Sequence, residues 1–369
     1  MGSYTFHYKS IVLFLLVCLV SALTSCMTPS VLPTPQAPSS PSIPSPFPTP
    51  NPSPSPSSPE PLFVIPEISQ SAEQILRHYA WDYDHREWTI ELKIPLTLYN
   101  HYKEILRPPT QNYSVYVTHP LDDAYISSIA DELRRSAKKE GFNDLETLEF
   151  TAAFIQNFPY TADTVSTSYD DYPRYPIETL VDNGGDCEDT SILMASLLSN
   201  LHYEVCLIEF PDKHCALGVS SIQYEKGTYF NYNGDKYFYL ETTNTGWGVG
   251  QMPEELVGVK AEIYDLTPTP IITHDWNGTI GRDSAELEIT LQNLGSQLAY
   301  DVYIIVGFDA DGDKLWNTQE SDHFDLPTNQ DMIITMKLQV PLEKHTRIVI
   351  QIIHNGYAVD KSHSEWFDT

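Results

Sequence analysis

The most informative run of this chain is Asn183-Gly184-Gly185-Asp186-Cys187-Glu188-Asp189-Thr190-Ser191. The two glycines permit a tight turn. Asp186 is placed to cap a helix, and acidic residues in a first turn suit the helix dipole. Cys187 therefore falls at a helix N-terminus, where free N–H groups and the dipole stabilise a thiolate, the reactive form. Asp186, Glu188 and Asp189 work against this by raising the thiol pKa. A nearby imidazolium is needed to settle an ion pair.

Downstream, His214 stands in Pro211-Asp212-Lys213-His214-Cys215-Ala216-Leu217-Gly218-Val219, where it opens a strand after a turn. Glu241 ends the next strand, in Tyr239-Leu240-Glu241-Thr242-Thr243. A Cys nucleophile, a His base and a carboxylate that orients the His form a triad by role. Asp235 is the alternative orienting carboxylate. Trp247, in Gly246-Trp247-Gly248-Val249-Gly250, is a candidate wall of a substrate cleft. Gln156, in Phe154-Ile155-Gln156-Asn157-Phe158, is a candidate oxyanion donor from the preceding helix.

Gly185-Asp186-Cys187, His214 and Glu241-Thr242-Thr243 together resemble the transglutaminase-like superfamily, a circular variant of the papain-type arrangement. That family reads Gly-x-Cys at a helix start, His at a strand start, and Asp-Pro-Thr at the end of a neighbouring strand. The string Gly185 to Asp189 also resembles the bacterial transglutaminase-like cysteine proteases. The resemblance covers roughly residues 140–255, and residues 67–139 look like an extension found with membrane-anchored prokaryotic members. The third position departs from the pattern, with Glu241 in place of Asp. The resemblance implies a papain-like core, a Cys187-His214-Glu241 triad, a thioester intermediate and no cofactor.

The flanking patterns imply an α+β domain over 67–266. Helices are expected over Ser69–Tyr79, Asp122–Lys139, Leu145–Phe158, Pro176–Val181 and Cys187–Leu201. A hairpin is expected over Tyr83–Ile94, and strands over Tyr203–Phe210, Cys215–Ser220 and Tyr237–Thr242. From Thr267-Pro268-Thr269-Pro270 onward the pattern changes. Alternating strands over Ala285–Leu291, Ala299–Phe308, Met332–Val340 and Arg347–His354 imply an immunoglobulin-like β-sandwich over 267–369.

The N-terminus reads as an address. Ile11 to Leu23 is an apolar run too short to span a bilayer but suited to a signal peptide. It ends in Leu23-Thr24-Ser25-Cys26, which resembles the lipobox of bacterial lipoproteins. Residues 1–26 are then a lipoprotein signal peptide with lipidation at Cys26. Residues 27–66 are a Pro/Ser-rich linker that favours extended polyproline geometry. The chain of 369 residues carries 50 acidic and 21 basic side chains, a formal net charge of −29. That excludes a nucleic-acid partner, which needs clustered Lys and Arg.

Five cysteines are too few for a disulfide scaffold. Symmetric hairpin pairing places Cys206 opposite Cys215, so either a disulfide or two buried thiols fits. Asp309-Ala310-Asp311-Gly312-Asp313 partly matches a calcium loop, but Lys314 stands where a glycine is required, so an acidic hairpin turn is the reading. No metal is expected at the triad. The expected protein is a lipid-anchored, extracytoplasmic cysteine enzyme that hydrolyses peptide or isopeptide amides of a cell-surface substrate. The alternatives are a transamidating enzyme and a non-catalytic binding module on the same fold.

Overall fold

The computed structural model describes residues 4–8, 62–64, 73–163, 172–220, 226–312 and 314–369. Cys26, nearly all of residues 1–66 and Asp313 lie outside the described residues. The described residues form two compact units. One comprises 62–64, 73–103 and 122–265; the other comprises 4–8, 104–121 and 266–369. Strand β1 (Tyr4–Tyr8) belongs to the second unit.

The first unit opens with a three-stranded sheet of β2 (Leu62–Val64), β3 (Gln74–Tyr83) and β4 (Arg86–Pro95), in the order β2-β4-β3. The helix expected over Ser69–Tyr79 is not formed in its described part, because Gln74–Tyr83 is strand. The physical reason is period two: Ile75, Arg77, Tyr79, Trp81 and Tyr83 face inward while the residues between them are exposed. Asp84 and His85, with φ of 50° and 60°, make the two-residue turn that pairs β3 with β4.

Helix α1 (Leu96–Glu104) follows β4, and α2 (Ser114–Val117) lies in the second unit. Helix α3 (Asp123–Glu140) ends on Gly141 at φ 82°, a left-handed C-cap open to glycine. Helix α4 (Asp144–Gln156) starts with a capping box between Asn143 and Glu146. Helix α5 (Pro176–Asp182) leads to α6 (Cys187–Asn200), which is buried continuously from Asp189 to Leu198. A helix buried on every face is a core helix, and Asp189, Thr190, Ser191 and Ser196 are buried with its apolar residues. It packs on a five-stranded sheet of β5 (Glu204–Phe210), β6 (His214–Ser220), β7 (Tyr229–Tyr232), β8 (Asp235–Leu240) and β9 (Glu262–Asp265). The sheet order is β7-β8-β6-β5-β9, and every pair is antiparallel.

The β5–β6 hairpin turns through residues 211–213, with Asp212 at φ 59° and Phe210 opposite His214. That register sets Cys206 against Gly218 and Cys215 against Glu209. The expected pairing of Cys206 with Cys215 is therefore wrong, because the turn is centred later than symmetry about the two cysteines requires. Both are free and buried.

The second unit is two sandwich-like sheets. One contains β1, β10 (Ile272–Ile280), β11 (Ser284–Asn293) and β15 (Asp331–Gln339). The other runs β13 (Leu315–Glu320), β12 (Ala299–Asp309), β17 (Ile348–His354) and β18 (Tyr357–His363), with β14 (Phe324–Leu326) also on β12. A small pair, β16 (His345–Thr346) and β19 (Phe367–Asp368), completes it. Trp276, Leu287, Ile289, Val306, Phe308 and Ile350 fill the core between the sheets. Residues 104–121 add to this unit through Thr118 Oγ1, 2.7 Å from Ser296 Oγ, and His119 Nε2, 3.1 Å from Asn329 Nδ2. In the β12–β13 turn, Arg347 Nε donates to Asp309 at 2.9 Å and Asp311 N–H donates to Asp309 at 3.1 Å, so Asp309 serves the turn.

His274 ties β10 to β18. Its Nδ1 lies 2.7 Å from Asp360 Oδ2 and its Nε2 lies 2.6 Å from Ser362 Oγ, with the ring buried. His274→Ala strands both partners and is expected to cost roughly 1–3 kcal/mol. Urea unfolding checks this, and an unchanged midpoint would show that the tie contributes nothing.

Candidate active site

Cys187 is the first residue of α6 and sits beside a turn built to bring a second chain segment close. Gly184 has φ 152°, and a Cβ there would lie 2.7 Å from Pro159 O. A Cβ on Gly185 would lie 2.5 Å from the Asp189 side chain. The pair must therefore be glycines for residues 159–161 to run alongside, with Thr161 N–H donating to Gly185 O at 2.8 Å. Tyr160 bridges to Gly185 and stands 61% exposed.

Hydroxyls stitch α6 to the strands that carry the other two residues. Ser191 Oγ donates to Cys215 O at 3.1 Å. Thr242 Oγ1 lies 3.0 Å from both Thr190 Oγ1 and Ser191 Oγ. The backbone of Cys215, next to His214, favours the Cys187 thiolate. Residues 187, 214 and 241 are thus gathered at one end of the sheet.

His214 Nε2 lies 3.1 Å from Glu241 Oε2 and 3.2 Å from Oε1. Nδ1 is the ring nitrogen that Glu241 leaves open. Glu241 is 1% exposed and accepts further bonds from Tyr239 Oη at 2.6 Å, Thr242 N at 2.9 Å, Thr243 N at 3.0 Å and Thr243 Oγ1 at 2.8 Å. Burial pushes its pKa up, but the His214 bond and charge, Tyr239 and the Thr243 N–H outweigh burial and hold it at about 2. Asp235 opens β8 at the exposed turn opposite Tyr232 and makes no bond to His214.

The two weaker sequence candidates lie close by in a different role. Gln156 is buried, and its Nε2 donates to Glu241 O at 2.9 Å and to Trp247 O at 3.0 Å. Its amide supports the 241–247 loop and is not aimed at a substrate oxygen. Trp247 is half-buried on that loop.

The opposite flank of Cys187 is acidic. The thiol lies 3.3 Å from Glu188 Oε2. Burial first, then Glu188, push the thiol pKa well above its ordinary value. Asp163, Asp186 and Glu188 bring one carboxylate oxygen each within 4.8 Å of one another. Burial raises both Asp186 and Glu188, with the Glu188 charge adding to it at Asp186 and the Asp189 charge at Glu188. Asp186 Oδ1 is buried without a hydrogen-bond partner. Clustered hard oxygens with an orphaned lone pair suit a divalent cation such as Ca²⁺. In the sequence Asp186 and Glu188 read as a helix cap, a first-turn charge and unfavourable neighbours of the thiol, and Asp163 does not stand out. Nor does Arg174, 1% exposed, which pairs with Asp189 and lies 3.0 Å from Asp163 Oδ1. The backbone N–H of Arg174 donates to Asp189 Oδ1 at 2.7 Å. No local pattern signals this, since the partners come together only through the fold.

No family model matches the chain, and no curated protein matches it. Among solved structures, calcium-bound LapG of Legionella pneumophila is 15% identical, covering 46% of this chain and 82% of LapG at a TM-score of 0.26. EGTA-treated LapG is 15% identical, covering 47% and 81% at 0.26. A CARDB domain from Pyrococcus furiosus, in complex with di-metal ions, is 17% identical, covering 27% and 85% at 0.20. Likeness at TM-scores this low carries no functional weight.

Two outcomes are expected. Glu241 has a folded pKa below its ordinary 4.5, so its stabilisation is complete above pH 4.5 and is lost as pH falls toward 2. The loss is up to roughly 3 kcal/mol. Glu241→Gln should flatten that part of the stability-against-pH curve. Arg174→Met leaves Asp189 and Asp163 without their buried cation and should cost about 3–5 kcal/mol in urea unfolding.

Proposed function

We propose that the first unit is a transglutaminase-like, cysteine-dependent acyl-transfer enzyme that hydrolyses peptide or isopeptide amides. The observation that carries this is the buried, ionised Glu241 holding His214 by Nε2, with Ser191 of the Cys187 helix bonded to the Cys215 carbonyl beside that histidine. Cys187 attacks the amide carbonyl as His214 Nδ1 takes the thiol proton. Glu241 keeps the imidazole in the tautomer that presents Nδ1 and stabilises the imidazolium. First-turn N–H groups of α6 face the developing oxyanion. His214 then protonates the departing amine, and water resolves the thioester. An amine acceptor in place of water would give transamidation.

Asp163, Asp186 and Glu188 would hold a divalent cation, with Ca²⁺ the one whose oxygen preference fits them. The cation would supply positive charge beside the thiol. The chain's own part is to place three carboxylates on that flank. The raised thiol favours a second reading, a non-catalytic binding module on the same fold.

The reading extends to location. Residues 1–26 act as a lipoprotein signal peptide whose removal takes β1 from the edge of its sheet and leaves β10 as the edge, Cys26 is lipidated, and residues 27–66 tether the enzyme outside the cytoplasm near a protein or peptide substrate. The sequence around Cys26 supports this.

Three measurements test the reading. Iodoacetamide should label Cys187 faster in Ca²⁺ than in EGTA, and His214→Ala should slow labelling at least tenfold. A peptide library should be cleaved by the full chain and not by Cys187→Ala; cleavage retained in that variant would sink the enzyme reading. Slow labelling in both media with no cleavage would establish the binding module. Cys26→Ala should move the protein from the membrane pellet to the soluble fraction.

A further inference from the structure

A cavity of about 430 Å³ opens against the imidazole. His214 and Glu241 wall it, and Pro253 with the buried Leu256 form its apolar side. Lys213 and Glu255 line it as well, both exposed, and neither forms an ion pair among the described residues. Lys213 comes from the β5–β6 turn and Glu255 from a short 3-10 turn at Glu254–Leu256. Thr243 Oγ1 is occupied by Glu241 at 2.8 Å and accepts from Asn244 Nδ2 at 3.4 Å. The free charges of the cavity are therefore one ammonium and one carboxylate. Cys187 does not line it.

The placement has a chemical meaning that rests on the reading of Cys187 and His214 as nucleophile and base. As the thioester forms, the S–C bond is made and the C–N bond breaks. The imidazolium gives its proton to the departing nitrogen. That nitrogen must leave past the imidazole, so the part of the substrate joined to it extends over the imidazole side. The acyl part stays with the sulfur. A cavity that has the imidazole as a wall and excludes the cysteine is on the amine side.

We propose that this cavity is the amine-side subsite and takes a basic amino acid whose carboxylate is free. Lys213 receives the carboxylate, Glu255 receives the terminal cation, and Leu256 with Pro253 cover the methylene stem. The volume lies near the lower end of the range for small-ligand sites, ~300–1,000 Å³, which suits one residue rather than a folded segment. Opposite charges in one cavity beside apolar residues select a dipolar ligand and reject one that lacks either end.

The first test needs no turnover. Full chain with labelled Leu methyl groups is titrated with L-lysine, L-norleucine and cadaverine, and the Leu256 methyl signal is followed. Lysine is expected to shift it at least tenfold more tightly than norleucine, which lacks the side-chain cation, or cadaverine, which lacks the carboxylate. Lys213→Glu and Glu255→Gln should each remove that preference. The second test is the peptide library: cleavage should favour release of a C-terminal Lys or Arg, and Glu255→Gln should abolish the bias. Equal shifts by the three probes, or a bias unmoved by either substitution, would overturn the proposal. A lysine-selective shift without any cleavage would support the site and overturn the reading of Cys187 instead.

Discussion

A carboxylate that is almost wholly buried stays ionised only where enough donors replace its water, because desolvation otherwise drives it to take up a proton. Glu241 meets that condition. His214, Tyr239, the Thr242 and Thr243 amides and the Thr243 hydroxyl all donate to it. The imidazole is oriented by this group, the loop to Trp247 is held through Gln156 on its carbonyl, and Thr242 beside it bonds to α6. Were Glu241 to lose its charge, the imidazole would lose its fixed tautomer. The loop would keep its Gln156 and Thr242 bonds but lose the pull of the carboxylate on the Thr242 and Thr243 amides.

The glutamate in place of aspartate becomes intelligible in this setting. The extra methylene lets the carboxylate fold back onto the N–H groups of the next two residues and still reach His214 across the strands. Register on β6 and β8 supplies the rest. Leu217 faces Leu240, so the end of β8 runs out beside the start of β6, where His214 stands. Strand pairing brings the two chains together, and the carboxylate's length closes the remaining gap.

The flank beyond Cys187 obeys a different balance. Four carboxylates, from Asp163, Asp186, Glu188 and Asp189, crowd the start of α6, and Arg174 is the buried cation among them. One guanidinium satisfies Asp189 and Asp163. Asp186 and Glu188 are left leaning on each other and on the thiol, which burial and repulsion keep protonated. The sulfur therefore sits between a flank that favours its charge and one that opposes it. The proposed chemistry depends on which of these prevails.

Much of this is legible in the chain. The Gly184-Gly185-Asp186-Cys187 turn, the apolar run of α6 and the strand opening at His214 all follow from nearest-neighbour rules. Turn geometry, caps and burial period are local in sequence. The same local logic makes Ser69–Tyr79 a helix, wrongly over Gln74–Tyr79, since the inward spacing of Ile75 to Tyr83 becomes decisive only once β4 is there to pair with it. It also fails for Cys206 and Cys215, because register depends on where the hairpin turns. Gln156 falls near the site as its position suggests but does other work, as its acceptors are carbonyls some 85 and 91 residues away. Arg174 and Asp163 carry no signal at all. Local sequence dictates which residue types can do the chemistry and which elements present them. Folding in three dimensions dictates which carboxylates share one buried cation and which nitrogen of His214 is free. Those are matters of distance between segments, and no local pattern encodes a distance across the core.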